Sequence, residues 1–302
     1  GKPPTNGMNK SHQKHSLVWT IPCSLSMFSL LSFFVLAITG KSGEFVGAAD
    51  IFCEANHFHS PVKQPINTLS SISLVLVGLW VARYSNNRNL LQDWRVSNVF
   101  TRSIHLQTVY ASTLVWIGVG SAFYHASGTA WSGTWDVVAQ IPYVSFVCIY
   151  SLTRLLQTCG RLPLGQVEWT FWYLYVTTTV VVSIPRLIAD IEYAGPIAGL
   201  IGAFLVLEIM RFCKTTMTSN HLTKQARRYL VNALICIASG YTILVLSTTD
   251  AIWCRAHSLL QGHALWHLLS AVSTLLVFMF IVTDVEVEMV VYKNDAESLF
   301  GE

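Results

Sequence analysis

Eight apolar runs, each about as long as a bilayer is thick, divide this sequence and leave it few folds to choose from. They fall at roughly 17–39, 66–83, 102–125, 134–154, 168–185, 193–212, 228–248 and 263–283. About 20 mostly apolar residues of helix span a hydrocarbon core. Within that core every backbone amide must be satisfied by its own segment, which a helix does. Charged residues make up only 12% of the chain, against about 25% in soluble domains. The expectation is one all-α integral membrane domain with short loops. No internal repeat, low-complexity tract or glycine-rich nucleotide loop interrupts it, and nothing in it points to nucleic acid or to an obligate protein partner.

The basic residues orient the chain. Lys2, Lys10, Lys14, Arg83, Arg88, Arg95, Arg102, Arg154, Arg161, Arg211, Lys214, Lys224, Arg227, Arg228 and Lys293 fall on one face. Lys41, Lys63, Arg186 and Arg255 fall on the other. Lysine and arginine collect on the cytoplasmic side, so both termini are expected there. Residues 1–16 read as a cytoplasmic tail, in which Gly1 to Gly7, ahead of Met8, look like an appended remnant. Segment 17–39 reads as a retained helix or signal anchor. Val46-Gly47-Ala48-Ala49 offers small residues for cleavage, but the apolar stretch before it is longer than the 7–15 residues of an ordinary signal. Residues 285–302 read as a second cytoplasmic tail.

Polar chemistry gathers at the outer ends of three spans. His263 and His267 lie four residues apart, and so do Ser121 and His125. At that spacing two side chains share one helix face. Asp136 follows, at the start of the fourth span, after a turn expected at Gly128–Gly133. Imidazoles and carboxylates are costly in a membrane and usually mark a site. Three histidines leave one position of a tetrahedral zinc ion open, the arrangement of a catalytic centre. Such an ion brings the pKa of a bound water to about 7. Asp136 is then a proton carrier and Ser121 a donor to a developing oxyanion. At the membrane edge the substrate is expected to be a lipid amide or ester.

These residues resemble the signature of a seven-helix hydrolase superfamily. It contains the alkaline ceramidases, the adiponectin and progestin receptors and the GPI-remodelling lipid hydrolases. The resemblance runs from about Asp50 to Asp284. It implies a seven-transmembrane-helix core at 50–284 with one extra N-terminal hydrophobic helix. His263-Ala-Leu-Trp-His267 with the Leu-Leu-Ser-Ala run after it is similar to the ceramidase branch. So are Phe52-Cys53-Glu54-Ala55-Asn56 and Pro65-Ile66-Asn67-Thr68-Leu69-Ser70-Ser71. The resemblance implies zinc on His125, His263 and His267, with Asp136 as proton shuttle and Ser121 as carbonyl partner. The implied activity is hydrolysis of ceramide, or a similar N-acyl lipid, to a fatty acid and a sphingoid amine. An ester hydrolase of the GPI-remodelling type and a receptor-like protein with structural zinc are the alternatives. A tail of only 18 residues after Asp284 speaks against the receptor.

The ceramidase lead-in also holds calcium through acidic and amide oxygens, and Glu54 and Asn56 match that pattern. Two positions depart from it. The family aspartate falls at Ile51, with Asp50 one place off, and a family glutamate falls at Gln64. Calcium favours several oxygens with carboxylate charge, so a site on Asp50, Glu54, Asn56 and Gln64 is weakened. Of the seven cysteines, only Cys53 and Cys254 fall in loops of the outer, oxidising side. A disulfide between them is expected.

Overall fold

The structure is a computed structural model that describes residues 19–29, 31–32, 35, 51–87, 98–189, 194–217 and 224–284. Among the described residues seven helices are long and apolar enough to cross a membrane. We label them α1 (Pro65–Asn87), α2 (Ile104–Ser127), α3 (Ala130–Thr158), α4 (Val167–Ala189), α5 (Ala194–Met217), α6 (Lys224–Leu246) and α7 (Gly262–Thr283). Residues 19–29, ahead of them, are helical as well. The limits of the 17–39 segment, its cleavage motif, Asp50 and the two tails lie outside the described residues.

The spans match their expected places, with one instructive difference at α3. The Gly128–Gly133 stretch is mostly helix, because Thr129 caps α3 and accepts from the Ser132 amide while Ser132 returns the bond to the Thr129 amide. This reciprocal box satisfies two otherwise orphaned donors and starts the helix at Ala130. The turn shrinks to Gly128 and Thr129. Gly128 ends α2 with a left-handed φ of 65°, and its N–H donates to the Tyr124 carbonyl. Asp136 therefore sits in the second turn of α3 rather than at its first residue.

Helix α2 is the centre of the bundle, packed on α1 and α3, while α7 packs on α1 and α6. Small residues permit the closest approach. A Cβ on Gly118 would lie 2.7 Å from the Val75 amide nitrogen, and one on Gly78 would lie 2.8 Å from the Ala111 carbonyl oxygen. Glycine at both contacts lets α1 and α2 meet almost backbone to backbone, the usual solution where lipid supplies no hydrophobic drive. Toward the end away from the histidines, Phe100, Tyr110, Phe146 and Phe278 form an edge-to-face and tilted aromatic core. The Tyr110 hydroxyl donates to the Thr274 carbonyl at 2.7 Å, which fixes α7 against α2.

The end of the bundle opposite the histidines also carries a buried charge network. Asp284, just past α7, accepts from Arg154 of α3 at 3.0 Å and from Arg211 of α5 at 2.6 Å. Tyr150 adds a hydroxyl at 3.0 Å, and Glu208 pairs with Arg211 at 2.8 Å. Burial alone would push the Asp284 carboxyl up, but the two guanidinium groups hold it down at about 2. Three helices are thus tied at the end opposite the histidines.

Candidate metal centre

His125 is placed by the last turn of α2, while His263 and His267 lie on the first two turns of α7. All three are buried. Among the described residues they are the only group of three or more His, Cys, Asp or Glu side chains able to share one ion, with one ring nitrogen of each within 4.8 Å of the others. The closest pair is His125 Nε2 and His263 Nε2, 2.9 Å apart. Two imidazole nitrogens approach that closely only with a proton or a metal ion between them.

The surrounding hydrogen bonds decide which nitrogen of two rings carries the proton. His125 Nδ1 faces Gln64 Oε1 at 2.8 Å. The Gln64 amide cannot turn over, because its Nε2 donates to the Glu54 carbonyl and its Oε1 accepts from Asn67 Nδ2. His125 Nδ1 must then be the N–H, and its Nε2 is left as a lone pair facing the cluster. His267 follows the same logic. Ser70 and Ser71 both spend their hydroxyl protons on the Asn67 carbonyl. Each therefore turns a lone pair to His267 Nδ1, at 2.8 and 3.2 Å. His267 Nδ1 donates, and Nε2 is bare. A partner that fixes one nitrogen and frees the other is the usual outer shell of a metal-bound histidine. This donor set fits a divalent transition metal, and zinc accepts it with a fourth position open.

His263 is held differently. Its Nδ1 is buried without a hydrogen-bond partner among the described residues. Instead Phe52 lies over its ring, with the centroids 3.9 Å apart and the planes inclined by 34°. Phe52 also meets His125 edge to face at 5.0 Å. The lead-in segment therefore covers the cluster. It is fixed there by the Cys53–Cys254 disulfide, by an isolated bridge from Phe52 to Thr248 and by the Ala55 amide on the Ala256 carbonyl. The disulfide expected from compartment reasoning is present.

Ser121 and Asp136 join the cluster. The Ser121 hydroxyl lies 3.3 Å from His267 Nε2 and 3.0 Å from the Ser71 hydroxyl, and the Asp136 carboxyl lies close enough to interact with it. All five residues singled out at the helix ends thus lie together. An apolar cavity of about 230 Å³ lies beside them, lined by Phe28, Trp116, Gly120, Phe123, Trp131 and Trp135 among others. Gly120 and Trp135 directly precede Ser121 and Asp136 in the chain.

Of the residues expected for calcium, Glu54 and Gln64 hydrogen-bond within the chain. The two Glu54 oxygens accept from the Ile66 and Asn67 amides, both at 2.8 Å, so Glu54 caps the start of α1. Burial pushes the Glu54 carboxyl up, against those two amides and the nearby His57, which pull it down. Gln64 joins Glu54 to His125, and Asn56 sits in the lead-in loop. Sequence reasoning had not given Gln64, Ser70, Ser71 or Phe52 a role at the histidines. Their one signal was the dense run of hydroxyls and amides at the start of an otherwise apolar span.

A family model described as Ceramidase matches residues 48–297, while no curated protein matches the chain. The matched stretch takes in all seven spans and every residue of the centre. The chain belongs to the ceramidase family.

Proposed function

From this membership and this centre, we propose that the protein is a zinc-dependent amidase of the membrane that cleaves ceramide or a closely related N-acyl lipid. The observation that carries the reading is the meeting of three buried imidazoles with one hydroxyl and one carboxyl. His125, His263 and His267 would hold the ion. When bound, zinc supplies a Lewis acid and a water acidified to a pKa of about 7. The chain's own residues do the rest. Ser121 donates a hydrogen bond to the carbonyl oxygen as negative charge develops there. Asp136 takes the proton of the attacking water and delivers it to the departing amine nitrogen. The products are a free fatty acid and a sphingoid amine.

Burial of the cluster keeps bulk water from the reacting amide, and one hydrocarbon chain suits the aromatic cavity beside Gly120. The basic-residue count supports cytoplasmic termini and a site that opens toward the extracellular, lumenal or periplasmic side. The test is hydrolysis of labelled lipids by purified protein. Metal-dependent release of fatty acid from ceramide, lost in His263→Ala, supports the reading. Release from ester lipids alone replaces it with an ester hydrolase. A metal-loaded protein inert on both overturns it.

A further inference from the structure

We infer that Gln64 is a positioning residue for the metal centre: its side-chain carbonyl fixes His125 as the Nδ1–H tautomer and so presents Nε2 to the ion. This rests on the reading of the three histidines as a metal site. Three observations carry it beyond a packing role. Gln64 is fully buried, and a buried amide is retained only where its polar atoms are used. Its carbonyl lies 2.8 Å from His125 Nδ1, the shortest contact its side chain makes among those at Glu54, Asn67 and His125. Its backbone grips the same turn, since the Gln64 amide donates to the His125 carbonyl at 3.0 Å and the Lys63 amide donates to the Ala126 carbonyl at 2.9 Å. Main chain and side chain of one residue thus hold the last turn of α2 and the ring it bears.

The chemistry of the amide matters here. Gln64 stands where the ceramidase pattern has a glutamate tied to calcium. A carboxylate could accept from His125 but has no N–H for the Glu54 carbonyl. A glutamine serves both at once, and it links the cap of α1 to the imidazole directly. The Glu54 carboxylate is meanwhile spent on the Ile66 and Asn67 amides. In this chain, neutral hydrogen bonding fills the position between lead-in and metal centre.

Two variants separate positioning from folding. Gln64→Met keeps the bulk and removes the acceptor. Gln64→Glu keeps the acceptor for His125 and removes the donor to Glu54. The readouts are zinc affinity by competition with a chromogenic chelator, and the visible spectrum of the cobalt-loaded full-length protein. Gln64→Met is expected to bind zinc about 10- to 100-fold more weakly, with an altered cobalt spectrum. Gln64→Glu is expected to melt at a lower temperature yet bind zinc as tightly as the wild type or more so. A purely structural role would weaken folding and metal binding together in both. The inference is overturned if Gln64→Met folds and binds zinc like the wild type. It is also overturned if Gln64→Glu loses tenfold or more in affinity, a result that stands even where the Met variant does not fold. Wild-type protein that takes up no metal overturns both this inference and the reading it rests on.

Discussion

Phe52 stacks on His263, 3.9 Å between ring centroids, and supplies by contact what hydrogen bonds supply to the other two histidines. Among the described residues the His263 ring has no hydrogen-bond partner at Nδ1, so its orientation depends on this aromatic face, on the α7 backbone and on the Nε2 contact with His125. The neighbouring Cys53–Cys254 disulfide is then more than a loop staple. It holds the residue that holds the ring.

Phe52→Ala is expected to leave the bundle folded and to loosen His263. An aromatic pair contributes about 0.5–1.5 kcal/mol beyond its buried area, which corresponds to up to roughly a tenfold loss in metal affinity. Phe52→Tyr should retain most of it. Zinc retention after chelator dialysis, compared between the two variants, checks this.

Loss of the Cys53–Cys254 bond should act on stability and site together. A closed loop this long, 201 residues, corresponds to a loss of about 2–5 kcal/mol. Cys53→Ser, Cys254→Ser and the double variant should melt at the same lowered temperature, because each removes the same link. Thermal melts with and without reductant settle it: reductant must shift the wild type and leave the variants unmoved.

Ser121 and Asp136 should separate rate from metal binding. Asp136→Asn is expected to lower kcat by about 10²- to 10⁴-fold and Ser121→Ala by about 10²- to 10³-fold. Both should keep their zinc, since neither supplies a ring nitrogen to the cluster. Metal content beside kcat is the measurement, and loss of metal in step with loss of rate would contradict the assigned roles.

Asp284 sets an acid limit on the fold. Its carboxyl, held at about 2 by Arg154 and Arg211 against the effect of burial, lies below the unfolded value of about 3.9. A depressed pKa stabilises the folded state above the unfolded value, and that stability is lost as pH falls through the folded one. The wild type should therefore lose on the order of 2 kcal/mol between about pH 4 and pH 2. Asp284→Asn should start less stable at neutral pH, by about 3–5 kcal/mol for a broken buried pair, and lack that acid slope. Unfolding in denaturant across this pH range reads both.

The seven spans were legible because a bilayer demands long apolar runs, and α1 to α7 coincide with them to within a few residues. The five site residues were legible for a different reason. Their i, i+4 spacing and the arginine count put them at one end of the bundle before any contact was known. The partners of the histidines were not legible. Gln64 reaches His125 across 61 residues and Ser70 reaches His267 across 197, and no local period records such meetings. Arg154 and Arg211 were visible as inner-face charges, but their sharing of Asp284 depends on how α3, α5 and α7 converge. The helical start of α3 was hidden by its two glycines, which outweighed the Thr129–Ser132 box in a reading by composition.

Only Gly128 and Thr129 separate α2 from α3, so His125 and Asp136 ride on a single tight helical hairpin. Their spacing is a local property of the chain, while their spacing from His263 and His267 is a property of the assembled bundle. The links of Phe52 to His263 and of Tyr110 to Thr274 therefore set the distance that the hairpin cannot.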